Sequence, residues 1–324
     1  MFLLALFACT DPQPVAAPVP PEADRAVDVH ASVDGADPST CAGCHAAIVE
    51  EWSTSMHGRA HASKDPIFAA MSELRAREEG PEVLKKCGAC HRPLAVTEPD
   101  SPAALAGVAC GACHPRTATG VSTEATCLTC HAAAKNPGGA PTCTTGTENA
   151  ALGGPACASC HLTPAEAGHR SHTFAGPHRA WYQDDLSVLS AAVAVELERD
   201  GDTVTISVTN RTGHGFPSGF PGRVASIQVS AGDVTRQPEG LLFRKIYVDA
   251  DDRPTLPPFA ARLASDTRLS PGETRSATID LPVDAGPITA ELVFRLVPPP
   301  AVEALGLKGT VEAEPRAVEV ARLP

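Results

Sequence analysis

The chain has 324 residues, long enough for two domains, each with its own core. Its 31 Pro and 26 Gly stand against only 2 Trp, 2 Tyr and 9 Phe, so the bulky side chains that normally fill a core are scarce. Asp and Glu outnumber Lys and Arg 38 to 26, for a net charge of −12, which excludes the cationic surfaces that nucleic acids and anionic membranes require.

In chain order, residues 1–9 are apolar and end in Leu-Phe-Ala-Cys9. This resembles a truncated signal with a lipobox, in which Cys9 carries a lipid and provides the only membrane association. The stretch lacks a basic start and falls short of a signal of about 15–30 residues; a frayed apolar terminus is the alternative. No other segment approaches the roughly 18 apolar residues of a membrane span. Residues 10–38, rich in Pro, Ala and Asp without periodicity, read as a flexible tether that contains His30.

Residues 39–184 read as mostly irregular backbone with short helices. The best helical patterns are 48–61 and 66–79, the second announced by Asp65-Pro66. Cys-x-x-Cys-His occurs five times in this span: Cys41/Cys44/His45, Cys87/Cys90/His91, Cys110/Cys113/His114, Cys127/Cys130/His131 and Cys157/Cys160/His161. Two thiols three positions apart can bond to the two vinyl groups on one edge of a haem, which sets the adjacent His under the iron. Zinc is the rival, since Cys87/Cys90 and Cys110/Cys113 have a zinc-ribbon spacing, but zinc does not need the His. With 12 His in the chain, a chance His after all five pairs is on the order of one in ten million. Five covalently attached haems are therefore expected, supplying the apolar volume that the sequence lacks. Only twelve residues separate His114 from Cys127, which suggests that haems successive in sequence are held close.

Residues 185–324 change to alternation. Strands are expected over 191–197, 203–209, 223–229, 242–248, 262–269, 274–281, 288–296 and 317–322, with a turn at 199–202 and Val204, Ile206 and Val208 on one face. About seven or eight strands without a long helix point to an all-β antiparallel sandwich. The acidic turn at 249–252 suits calcium or, more simply, a solvated loop.

Seven histidines lie outside the motifs: His30, His57, His61, His169, His172, His178 and His214. A His as sixth ligand closes an iron for electron transfer, whereas an open iron can bind a small molecule. His57 and His61, four apart on the expected helix, share a face. His169, His172 and His178 cluster after the fifth motif. His214 lies in a Gly/Pro loop of the β region, from which it would reach a haem across the domain interface. Met56 and Met71 are weaker candidates.

Cys41-Ala-Gly-Cys-His followed by Glu51-Trp-Ser-Thr-Ser-Met-His57 resembles the signature of multihaem c-type cytochromes related to the tetrahaem cytochrome and hydroxylamine oxidoreductase of ammonia oxidisers. The run from Cys157 through Ser171-His172-Thr-Phe, then Thr212-Gly-His-Gly-Phe-Pro-Ser-Gly with Arg223, is similar to a subgroup with a carboxy-terminal β domain. The resemblance implies bis-His haems passing single electrons, with His57, His172 and His214 as ligands. One departure is Leu162-Thr163, where the family has Met-Pro. The chain has no Cys-x-x-Cys-Lys motif of the ammonia-forming nitrite reductases. The expectation is an electron relay in a periplasmic or cell-surface respiratory chain. Its partners would be other cytochromes and quinol-oxidising or terminal reductase complexes. The alternative is a small oxidoreductase acting on a nitrogen or sulfur oxyanion at one open iron.

Overall fold

The computed structural model describes residues 35–114, 124–166, 168–282 and 286–324; Cys9 and His30 lie outside them. The first part is helical in short pieces: α1 (Ser39–Thr54), α2 (Pro66–Glu79), α3 (Val83–His91), α4 (Pro102–Leu105), α5 (Glu124–His131), α6 (Thr145–Ala151), α7 (Cys157–His161), α8 (Arg179–Tyr182) and α9 (Ser187–Ala192). Four of the five motifs close a helix or lie within one, and in α1 the backbone kinks at His45 itself. Asp65 caps α2 as expected: its carboxylate accepts the Ile67 and Phe68 amides, and Pro66 occupies the first turn, where no donor is needed.

The expected helix over 48–61 is displaced. Its amino-terminal half belongs to α1, which takes in the first motif and stops at Thr54. Ser55 ends it by accepting the Gly58 amide on Oγ, so His57 and His61 lie in turns and share no helix face.

Nine strands follow: β1 (Val193–Asp200), β2 (Thr203–Asn210), β3 (Val224–Ala231), β4 (Val234–Arg236), β5 (Leu242–Val248), β6 (Arg262–Asp266), β7 (Thr274–Asp280), β8 (Ile288–Arg295) and β9 (Arg316–Leu323), with α10 (Pro299–Ala304) before the last. All pairings are antiparallel. One sheet runs β1-β2-β7; the other runs β6-β5-β3-β8-β9, with the short β4 added to β3. Val204, Ile206 and Val208 are fully buried on one face of β2 and join Ile227, Val229, Ile288 and Leu292 of the second sheet in one core. Leu292→Ala is expected to cost about 2–5 kcal/mol, measured by chemical denaturation, because this site lies at the centre of that core.

The same core takes in Ile67 and Met71 of α2 and Trp181 of α8, so apolar packing continues from the helical part into the β part. The acidic turn is neutralised by arginines: Asp249 and Asp251 pair with Arg253, and Asp252 with Arg262. Among the described residues no helix is long and apolar enough to cross a membrane.

Candidate haem-binding cavity

Between the short helices and the β part lies a cavity of about 2250 Å³. That is more than twice an ordinary small-molecule pocket of about 300–1,000 Å³. All ten motif cysteines and all five motif histidines line it. His57, His169, His172, His178 and His214 also line it, whereas His61 does not. His61 is engaged elsewhere, Nδ1 with the Ser63 hydroxyl and Nε2 at 3.0 Å from the Pro99 carbonyl.

Three pairs of imidazoles face each other across this space, each joining a motif histidine to one outside the motifs. Ring centroids are 6.2 Å apart for His131 and His57, 6.3 Å for His114 and His172, and 6.5 Å for His161 and His214. Two imidazoles bonded to a common metal at about 2 Å each, with about 1 Å more from nitrogen to ring centre, hold their centroids about 6 Å apart. The residues present therefore fit a haem iron between each pair.

The hydrogen bonds point the same way. The Nδ1 atoms of His91, His161, His172 and His214 meet the backbone carbonyls of Ala60, Ala175, Arg170 and Gly215 at 3.0, 3.0, 2.7 and 3.1 Å. A ring that donates from Nδ1 to a carbonyl has its lone pair on Nε2, the arrangement typical of metal-bound histidine. Burial, the largest cause in each case, lowers the pKa of His91, His114, His161 and His214. His57 is held down to about 4 by burial and then by the neighbouring His131, His161 and His172. These rings are neutral at neutral pH, as ligands must be.

Local contacts explain why the chain places these groups here. Trp52 donates from Nε1 to the Val108 carbonyl at 2.8 Å, and the Val108 amide donates to the His57 carbonyl at 3.0 Å, tying the first motif's helix to the approach of the third. Gly107 makes this possible: its φ is +73°, and a side chain there would stand 2.6 Å from the His57 carbonyl oxygen. Glu51 accepts the His172 amide at 2.7 Å on one oxygen and meets His169 Nε2 at 3.1 Å with the other. Phe68 stacks on His91 at 3.6 Å between centroids.

The His214 loop is fixed from both sides. Asn210 donates to the His214 carbonyl at 2.8 Å from within the β part. From α6, Asn149 donates to the Gly213 carbonyl at 2.9 Å, and Glu148 accepts the Gly215 amide at 3.0 Å and the Ser218 hydroxyl at 3.1 Å. Glu51, Glu148 and Asn149 carry no ligand pattern in the sequence. Only the position of Glu51 beside Trp52, in the segment that resembles a family signature, hinted at its part.

Cysteines of different motifs approach each other: Cys41 lies beside Cys110, Cys90 beside Cys130, and Cys127 beside Cys157. Motif one thus neighbours three, two neighbours four, and four neighbours five, so proximity follows the tertiary fold as well as the order in sequence. Among the described residues no three His, Cys, Asp or Glu side chains converge as a bare metal site. The spare Cys143 also lines the cavity; burial raises its thiol, but hydrogen bonds with His131 and Thr145 bring it down to about 7.

Residues 40–115 match the family described as cytochrome c554 and c-prime. No curated protein sequence matches the chain significantly. The fold is similar to the crystal structure of a penta-heme cytochrome c552 from Thermochromatium tepidum, with a TM-score of 0.72 and 22% identity over 88% of this chain and 97% of that one. The fold is that of a multihaem c-type cytochrome. Short helices carrying the attachment motifs, followed by antiparallel sheets, agree with the architecture expected from the sequence, and this cytochrome fold supports covalently bound haem c.

Proposed function

We propose that the chain is a pentahaem c-type cytochrome that relays single electrons through bis-His haems, in a periplasmic or cell-surface respiratory chain. The supporting observation is the set of three imidazole pairs 6.2 to 6.5 Å apart, each joining a motif histidine to a distal one. In this reading His45, His91, His114, His131 and His161 are proximal ligands. His57, His172 and His214 close the irons of His131, His114 and His161, and His178 and His169 are left for the remaining two, His169 through Nδ1 because Glu51 engages its Nε2. A closed iron supplies outer-sphere electron transfer. The protein's part is to hold ten thiols and ten imidazoles around one cavity. Its domains would be the haem unit of 39–184 and the sandwich of 185–324, with other cytochromes and quinol-oxidising or reductase complexes as redox partners and any membrane attachment through Cys9.

One observation favours the second reading, an oxidoreductase acting on a nitrogen or sulfur oxyanion at one open iron. His178 turns Nδ1 to the Arg223 guanidinium at 3.3 Å instead of to a carbonyl. An arginine only donates, so this Nδ1 accepts and the proton sits on Nε2, opposite to a ligand's tautomer.

A pyridine haemochrome assay with an electron paramagnetic resonance spectrum tests both readings. Five haems per chain, all low spin, are expected for the relay. One high-spin iron among five turns the conclusion to the second reading, and fewer than five haems overturns the pentahaem assignment.

A further inference from the structure

Arg223 is a half-buried cation with no carboxylate partner among the described residues. It lies on the cavity wall, just before β3. Its Nη1 donates to the Ser218 carbonyl at 2.5 Å and its Nη2 to His178, while its Nε is sealed from solvent with no hydrogen-bond partner. Arg59, off the cavity lining, adds a second guanidinium near His178: it lies 3.8 Å over the Tyr182 ring and donates from Nη2 to the Lys64 carbonyl at 3.0 Å, while its Nε is buried and unpartnered.

Neither arginine has a carboxylate within ion-pair distance among the described residues, although thirteen other ion pairs form. The two nearby acids are committed elsewhere: Asp65 caps α2, and Glu312 accepts the Tyr182 hydroxyl at 2.7 Å. Enclosing a guanidinium without an anion is unfavourable. Arg223 on the cavity wall beside the His178 imidazole, with Arg59 near the same ring, leaves a place for negative charge.

We infer that Arg223 forms the centre of an anion site on the cavity wall, beside His178 and near Arg59, that takes a small oxyanion. Two sources share that chemistry: a propionate of an attached haem, or a free oxyanion such as nitrite or sulfite. Arginine matches either through paired N–H donors, and the low dielectric of the cavity strengthens the contact. The inference rests on the haem-loaded reading above, and haem count separates the two: a protein with its haems in place leaves that reading standing whatever the anion result.

The test uses the full haem-loaded chain as wild type, Arg223→Gln, Arg223→Lys and Arg59→Gln, each with haem content checked, and Arg236→Gln on exposed β4 as control. Each is titrated with nitrite and with sulfite while the haem absorption is followed, and each is then taken through a spectroelectrochemical titration. A saturable response to the free anion in wild type, weakened about tenfold or more in Arg223→Gln, assigns the site to a free oxyanion, as expected for a lost charged hydrogen bond. No response to added anion, with one haem of Arg223→Gln shifted to lower potential and partly restored in Arg223→Lys, assigns it to a propionate, because removing a nearby cation favours the ferric state. If Arg223→Gln does not load haem, Arg59→Gln is read by the same criteria. Neither an anion response nor a potential shift in haem-loaded variants overturns the inference.

Discussion

His214→Ala is expected to turn one low-spin iron per chain into a high-spin one that binds cyanide or carbon monoxide. The His214 ring faces that of His161 at 6.5 Å with only 14° between their planes, and its Nδ1 is engaged by the Gly215 carbonyl, so its Nε2 is the free nitrogen. The loop does not depend on the imidazole for its shape. Asn210 holds the His214 carbonyl, the Leu269 carbonyl and the Thr212 amide, while α6 holds Gly213 and Gly215. Alanine should therefore remove a ligand and leave the fold, with five haems still attached through their thioethers. Electron paramagnetic resonance of the oxidised protein reads the change. His61→Ala is the control and should leave the spectrum as it was, since that ring lies off the cavity with both nitrogens engaged. A wholly low-spin His214→Ala protein would remove His214 from the ligand set. Deleting residues 185–324 is the poorer experiment, because Leu189, Phe294 and Leu296 line the cavity and their loss would open it.

The strands were legible because period-two alternation is a local signal: 242–248 was read to the residue, and β2 gained only Asn210. β4 was missed because three residues carry no period. Attachment positions were legible because each motif is five contiguous residues. The distal histidines were visible as candidates, but their partners were not. Which ring faces which motif depends on contacts more than fifty residues apart, such as Trp52 to Val108 and Glu51 to His172. The helix boundary near His57 went wrong for a physical reason. The apolar pattern continues past Thr54, yet Ser55 satisfies the Gly58 amide with its hydroxyl and turns the chain. Charge deficits such as those at Arg223 and Arg59 are invisible in a sequence, where 38 acids outnumber 26 Lys and Arg and every cation seems to have a partner to spare.

Glu148→Ala is expected to lower stability by about 3–5 kcal/mol, the cost of removing one member of a buried pair. The carboxylate joins the two halves of the molecule. One oxygen takes Arg268 Nη2 at 2.6 Å and the Thr144 hydroxyl at 2.5 Å, with Lys245 Nζ at 3.9 Å; the other takes the Gly215 amide and the Ser218 hydroxyl. Arg268 and Lys245 are 11% and 4% exposed, so alanine strands two cations in low dielectric, although Asp266 at 2.9 Å keeps Arg268 from being wholly alone. Glu148→Gln keeps the shape and should lose less. Burial by itself would raise this carboxyl, but hydrogen bonds from Arg268 and Thr144 and the charges of Arg268 and Lys245 bring it down to about 2, against an ordinary 4.5. A depressed acid contributes its full stabilisation above its unfolded value and loses it as the pH falls through its folded value. The wild-type denaturation midpoint should accordingly fall between pH 4.5 and about 2, and the Glu148→Gln protein should show a shallower fall across that window. Because the same carboxylate holds Gly215, Glu148→Ala should also loosen His214 and raise the high-spin fraction of that iron, whereas Leu292→Ala, of similar cost but deep in the sandwich, should leave the spin state alone.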